Sequence, residues 1–183
     1  MQLREYLPYD VRHVMRSLPA EGDTRYKFRQ FTLNPRVEGR ARSVAKFAED
    51  VGFAVDIETL PRGMNGKLMP DPWSKTGQRI VVSSQISREA QRFGVLHEMG
   101  HYYRHTDHDD PFAEDFFDLS GSTVFYEDLT REREANEFAE ALLFGDAQLA
   151  AAVGLLGNSI PPLSRYFGVT EKVLSIALSK LAL

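Results

Sequence analysis

Three histidines stand four residues apart in "VLHEMGHYYRH", at His97, His101 and His105, with Glu98 beside the first. On a helix turning about 100° per residue, His97 and His101 lie about 40° apart on adjacent turns, so their rings can converge on one metal ion. Glu98 sits about 60° beyond His101 on the same wheel, within reach of a water on that ion and poorly placed to be a third ligand. Zinc suits two imidazoles and one carboxylate, with its fourth position open to water. The ion lowers the pKa of that water towards about 7. Glu98 would take the water's proton and pass it to a leaving amine, while the ion polarises the scissile carbonyl. The opposing reading is a helix that shows histidines to solvent, or a core histidine satisfied by a neighbour.

A third ligand would decide between them. One pair stands out among the carboxylates, Glu132 and Asn136, four apart in "REREANEFAE". Glu132 could bind the ion while Asn136 hydrogen-bonds a ligand histidine and fixes its ring. Ala135 and Ala139 lie on or near that face and permit close helix packing. The same string also reads as an ordinary charged helix with i,i+4 pairs. His105 falls in the last helical turn, where a histidine interacts favourably with the carbonyl end, so capping is its expected task. His108 and Tyr126 are candidate donors to a tetrahedral intermediate. Tyr102 and Tyr103 compete with Tyr126 for that role, and packing is expected of at least two of the three. Trp73, between Pro72 and Ser74, is expected to be a hydrophobic plug.

The elements that would position these residues alternate between sheet and helix. A short helix is expected over Asp10 to Leu18. "NPRVEGRARSVAKFAEDVG" predicts a helix capped by Asn34, opened by Pro35 and closed at Gly52, with one apolar stripe from Val37 to Val51. "FAVDI" alternates as a strand, Asn65-Gly66 favours a hairpin turn, and "QRIVVSS" reads as a further strand. The histidine helix follows, from Ser87 to about His105. "LTREREANEFAEALLFG" gives the second long helix, with Asp128 or Thr130 near its cap and Gly145 at its end. Between the two helices, residues 107–118 carry six acids, which most simply form a solvated loop. "SRYFGVTEKVLSIALSKL" predicts two short helices around Gly168. Their rhythm resembles a helix-turn-helix, but Lys172 and Lys180 are too few cations in the second to track a phosphate backbone.

Bulk properties fit this frame. The chain has 183 residues, net charge −4 and no cysteine. It suits one soluble domain in a reducing compartment, with no thiolate zinc site and no cysteine nucleophile. The N-terminus has no apolar core of a secretory signal, no apolar run reaches spanning length, and the charge argues against nucleic acid as the main partner. A cytoplasmic protein is expected. The segmentation expected is an extension over 1–33, a core over 34–160 and a helical tail over 161–183.

Together, "VLHEMGHYYRH" and "EREANEFAEALL" resemble the ImmA/IrrE family of zinc metallopeptidases, whose pattern is H-E-x-x-H, often with a further histidine four on, then E-x-x-A-N-x-F-A-x-x-L-L. The resemblance covers roughly residues 36–144. It implies an α+β, zincin-like core, in which the small, mostly antiparallel sheet that the strand and turn signals predict packs with the H-E-x-x-H helix and a second ligand-bearing helix. It also implies Zn²⁺ as cofactor, His97, His101 and Glu132 as ligands, and Glu98 as general base. The implied substrate is a DNA-binding helix-turn-helix repressor, cut in an antirepressor role. Two departures stand out: the family often continues L-L-M-P where this chain reads Leu142-Leu143-Phe144-Gly145, and an acidic insert separates the motif helices. The competing function is a non-catalytic zinc-binding regulator or antitoxin-like protein acting by contact. A third is DNA binding through the tail.

Overall fold

The computed structural model describes residues 9–105 and 128–181. In chain order these form α1 (Val11–Ser17), α2 (Thr24–Leu33), β1 (Arg36–Val37), β2 (Arg40–Ala41), α3 (Val44–Val51), β3 (Ala54–Glu58), β4 (Gly66–Pro70), β5 (Gln78–Ser83), α4 (Arg88–His105), α5 (Leu129–Phe144), α6 (Gln148–Leu156), α7 (Ile160–Phe167) and α8 (Glu171–Leu181). The class is α+β and compatible with a zincin-like core. Two compact units divide the chain, Ser43–Ala139 and the pair Met1–Arg42 with Glu140–Leu183. These cuts fall elsewhere than the 33/34 and 160/161 boundaries read from the sequence. Among the described residues no single helix is long and apolar enough to cross a membrane.

The first unit holds the three-stranded sheet, ordered β3-β5-β4. β5 is central and its Ile80, Val81 and Val82 are buried, as a continuous apolar run in a strand flanked on both sides requires. β4 pairs with β5 antiparallel, but β3 pairs with it parallel. The sheet is therefore mixed, a correction to the mostly antiparallel sheet expected. The reason lies at Asn65-Gly66, which makes no two-residue turn. Asn65 accepts a hydrogen bond from the Ser83 N–H at 2.8 Å and Gly66 opens β4 opposite Val82. The reversal is made earlier, where Gly63 has φ 87° and Met64 N–H bonds to Pro61 O. α4 packs against β4, β5 and α3. Its start is fixed by Ser87, whose hydroxyl accepts from Ala90 N–H at 3.1 Å.

The helix expected from Asn34 begins nine residues later. Ser43 is its N-cap, accepting from Lys46 N–H, and Gly52 closes it with φ 113°. The residues before it form instead the β1–β2 hairpin, with Val37 opposite Arg40. Glu38 and Gly39 both take positive φ, 51° and 76°, the conformation that a two-residue hairpin turn demands. The Val37–Ala41 spacing thus mimicked a helical stripe. Asn34 ends α2 rather than starting α3, its amide donating to Gln30 O.

The hairpin and α2 belong to the second unit. There Arg36 donates to Tyr166 O at 2.6 Å and to Gly39 O, with its guanidinium 4.3 Å from the Tyr166 ring centroid. The core is aromatic: Phe28 and Phe31 are buried, and Phe144 meets Tyr9 and Phe167 at 5.6 and 5.1 Å. Gly145 ends α5 where the sequence places it. A Cβ there would lie 2.2 Å from Val11 Cγ2 and 2.3 Å from Ala141 O, so only glycine fits, and this gives the Phe144-Gly145 departure a packing reason. α7 and α8 flank Gly168, which has φ 64°. Lys180 is held by Glu140 at 2.5 Å, leaving the tail still poorer in cations for a phosphate backbone.

Candidate metal centre

α4 presents His97 and His101 on adjacent turns of one face, and α5 brings Glu132 to them. Glu132 Oε1 is 2.9 Å from His101 Nε2 and Glu132 Oε2 is 3.1 Å from His97 Nε2. The two Nε2 atoms are 3.0 Å apart. One donor atom from each residue falls within 4.8 Å of the others. Two imidazole nitrogens and a carboxylate oxygen at such spacing could hold a divalent ion, and the donor set is one that zinc accepts. All three side chains keep part of their surface in solvent, His101 least at 12%.

Close helix approach makes this possible, and Gly100 permits it. A Cβ at position 100 would stand 3.0 Å from Ala135 O and from Phe138 Cβ, and 3.1 Å from Ala135 Cα. Ala135 and Ala139 are fully buried on the facing side of α5, as their small size on that face suggested. The sequence reading gave Gly100 no role. Its signal was its place inside the motif, directly before His101. α5 starts where Asp128 accepts from Arg131 N–H at 3.0 Å, which sets the phase that turns Glu132 and Asn136 towards α4.

Asn136 Oδ1 lies 2.8 Å from His97 Nδ1. Glu98 is 6% exposed, and burial pushes its carboxyl up to about 7, with His97 opposing and Glu132 adding to the rise. A carboxylate poised there exchanges protons readily near neutrality. Gly66 leaves it room: a Cβ at that position would be 3.2 Å from Glu98 Oε1. Position 66 thus matters for a reason other than the turn expected of it. Burial also pushes the Glu132 carboxyl up, but hydrogen bonds with His101 and His97 outweigh it and hold the group well below the usual carboxylate range. Burial lowers the proton affinity of both imidazoles and Glu132 raises it. The balance falls below the ordinary value for His101 and above it for His97.

Several expectations are corrected here. His105 does not use its ring to cap α4. Its Nδ1 faces His101 Nδ1 at 3.1 Å and its Nε2 meets Glu134 Oε2 at 2.8 Å. Trp73 is no plug, for it is 93% exposed. Asp71 accepts from its N–H at 3.0 Å and grips Arg79, which pins the loop between β4 and β5 with the indole outward. Tyr102 donates to Thr76 O at 3.3 Å, and Tyr103 is buried and stacks on Phe138, so both are engaged in packing. His108, Tyr126 and the acidic stretch 107–118 lie outside the described residues.

A search of curated proteins finds no match to the chain. The sequence model of one peptidase family, described as Peptidase_M78: IrrE N-terminal-like domain, matches residues 54–179. This begins later than the resemblance read from the motifs and runs on through most of α8. It spans more than two thirds of the chain and includes β3, β4, β5, α4 and α5, the elements that assemble the site. The two histidines, the glutamate facing them and the peptidase match agree, and the chain belongs to the IrrE N-terminal-like peptidase family.

Proposed function

We propose that the protein is a zinc-dependent endopeptidase that cuts a regulatory protein, a helix-turn-helix repressor being the substrate class, in the cytoplasm, where a chain without cysteine is at ease. The observation that carries this is the convergence of His97, His101 and Glu132 on one point, with the buried carboxyl of Glu98 one residue along α4. His97 and His101 would hold the ion through Nε2 and Glu132 through a carboxylate oxygen. A bound zinc supplies Lewis acidity to a water and to the scissile carbonyl. Asn136 keeps the His97 ring oriented through Nδ1. Glu98 takes a proton from the attacking water and returns it to the leaving amine, and its sheltered site keeps that proton local.

The test uses purified protein, zinc and a purified helix-turn-helix repressor as candidate substrate. Glu98→Gln keeps the ligands and should retain zinc while cleavage falls by about 10²- to 10⁴-fold, the usual contribution of a general base. Glu132→Ala should lose the metal. If Glu98→Gln relieves repression as well as the parent does, the protein acts by contact and the peptidase reading is overturned. If Glu132→Ala holds zinc as tightly as the parent, the ligand assignment is wrong.

A further inference from the structure

The geometry points to His105 and Glu134 as positioning residues that fix the ring of His101 and its bonding direction, and so set the metal affinity of the site. This rests on the metal reading above. It follows from which atom must carry each proton. For His97 and His101 to offer Nε2 lone pairs to an ion, each ring must keep its proton on Nδ1. His97 then donates to Asn136 Oδ1, 2.8 Å away, an acceptor that needs no adjustment. His101 is met differently. Its Nδ1 faces His105 Nδ1 at 3.1 Å, and two N–H groups cannot point at each other across that distance. His105 must therefore present a bare Nδ1, which leaves its own proton on Nε2. There the proton meets Glu134 Oε2 at 2.8 Å, a carboxylate that can only accept.

One arrangement satisfies both of these contacts: His101 Nδ1–H donates to His105 Nδ1, and His105 Nε2–H donates to Glu134. Reversing the His105 tautomer would set its lone pair against the carboxylate and its proton against that of His101. Glu134 thus determines the state of His105, and His105 that of His101. The pair is built for it. The His105 side chain is only 5% exposed, and Glu134 has a further cation, Arg104, at 4.0 Å. Their chain positions fit the same logic: His105 is one turn beyond His101 on α4, and Glu134 is two residues beyond Glu132 on α5. The two helices are pinned to each other at both the donor cluster and its support.

The experiment measures zinc affinity by chelator competition, together with the absorption spectrum of the cobalt-substituted protein and ¹⁵N NMR of the histidine rings. His105→Phe keeps a ring in the buried slot and removes the acceptor. Glu134→Ala removes the carboxylate. Each should weaken zinc binding by about 10- to 100-fold, the usual range for a partner that orients a ligand. The double variant should fall little further than the worse single one, because both act along one path. The cobalt spectrum should keep its band pattern, since the three ligands remain. In the zinc-loaded parent, His101 should be protonated at Nδ1 and His105 at Nε2. Parent affinity in both variants overturns the inference, and so does a parent His105 protonated at Nδ1. The ring NMR of the parent decides the matter even if a variant fails to fold. A parent that binds no zinc overturns the metal reading itself, which is a different outcome.

Discussion

Asn136 and Glu134 sit two residues apart on α5 and support different histidines, so their loss should be felt differently. Asn136→Ala removes the acceptor that His97 Nδ1 meets among the described residues. We expect an intact fold and zinc affinity lowered by about 10- to 100-fold, read by chelator competition against a circular-dichroism control. Unchanged affinity would assign Asn136 to packing. The residues of the donor cluster were legible in the sequence because helical spacing is rigid: four residues on a helix is a fixed geometry wherever it occurs. Their supports were legible only in part. Asn136 shares the face of Glu132 and could be reasoned to. His105 could not, because its partner Glu134 comes from another helix, and nothing local says which way a terminal histidine turns. Trp73 was misread for a related reason. Its exposure is set by Asp71 and Arg79, a clamp that closes only once β4 and β5 are paired.

At the level of elements, the crossing of α4 and α5 depends on a missing side chain. Gly100→Ala must move the Ala135 backbone or the Phe138 side chain by a few tenths of an ångström, in an interior too dense to absorb it freely. Overpacking of this kind costs about 1–3 kcal/mol. The same shift draws Glu132 away from the histidines. Gly100→Ala should therefore lower both the melting temperature and zinc affinity, whereas Gly94→Ala, whose Cβ would meet among the described residues only Val82 Cγ1 at 3.4 Å, should spare zinc affinity. Equal zinc affinity in the two variants would exclude a glycine-dependent approach. The long helices and β5 were plain from periodicity and caps. The failures came where two glycine-containing pairs asked for opposite readings: Glu38-Gly39 makes a hairpin turn that passed for helix, and Asn65-Gly66 is ladder where a turn was expected. Backbone φ at those positions is decided by what the strands pair with, information that a local string does not hold.

For the whole molecule, the net charge of −4 hides an uneven distribution. Residues 106–127 hold seven acids and no lysine or arginine, so the remaining chain carries +3. The proposed substrate, a repressor, is basic on its DNA-binding face, and such a segment would speed its encounter with this protein. Replacing Asp109, Asp110, Asp115 and Asp118 by Asn should lower kcat/KM for the repressor at low salt and flatten its decline as salt rises. Equal rates and slopes for parent and variant would remove the segment from recognition. The way the donor atoms are drawn from two helices has a further consequence. His97 and Glu132 are far apart along the chain, and the unfolded polymer must lose loop entropy to bring them together. An ion bound by all three therefore recognises only the folded chain, and its free concentration becomes a variable of the folding equilibrium. At 100 times the dissociation constant this adds about 2.7 kcal/mol of stability. On the proposed zinc reading, a cell that withholds the metal would thus shorten the lifetime of this protein, tying its abundance to metal supply.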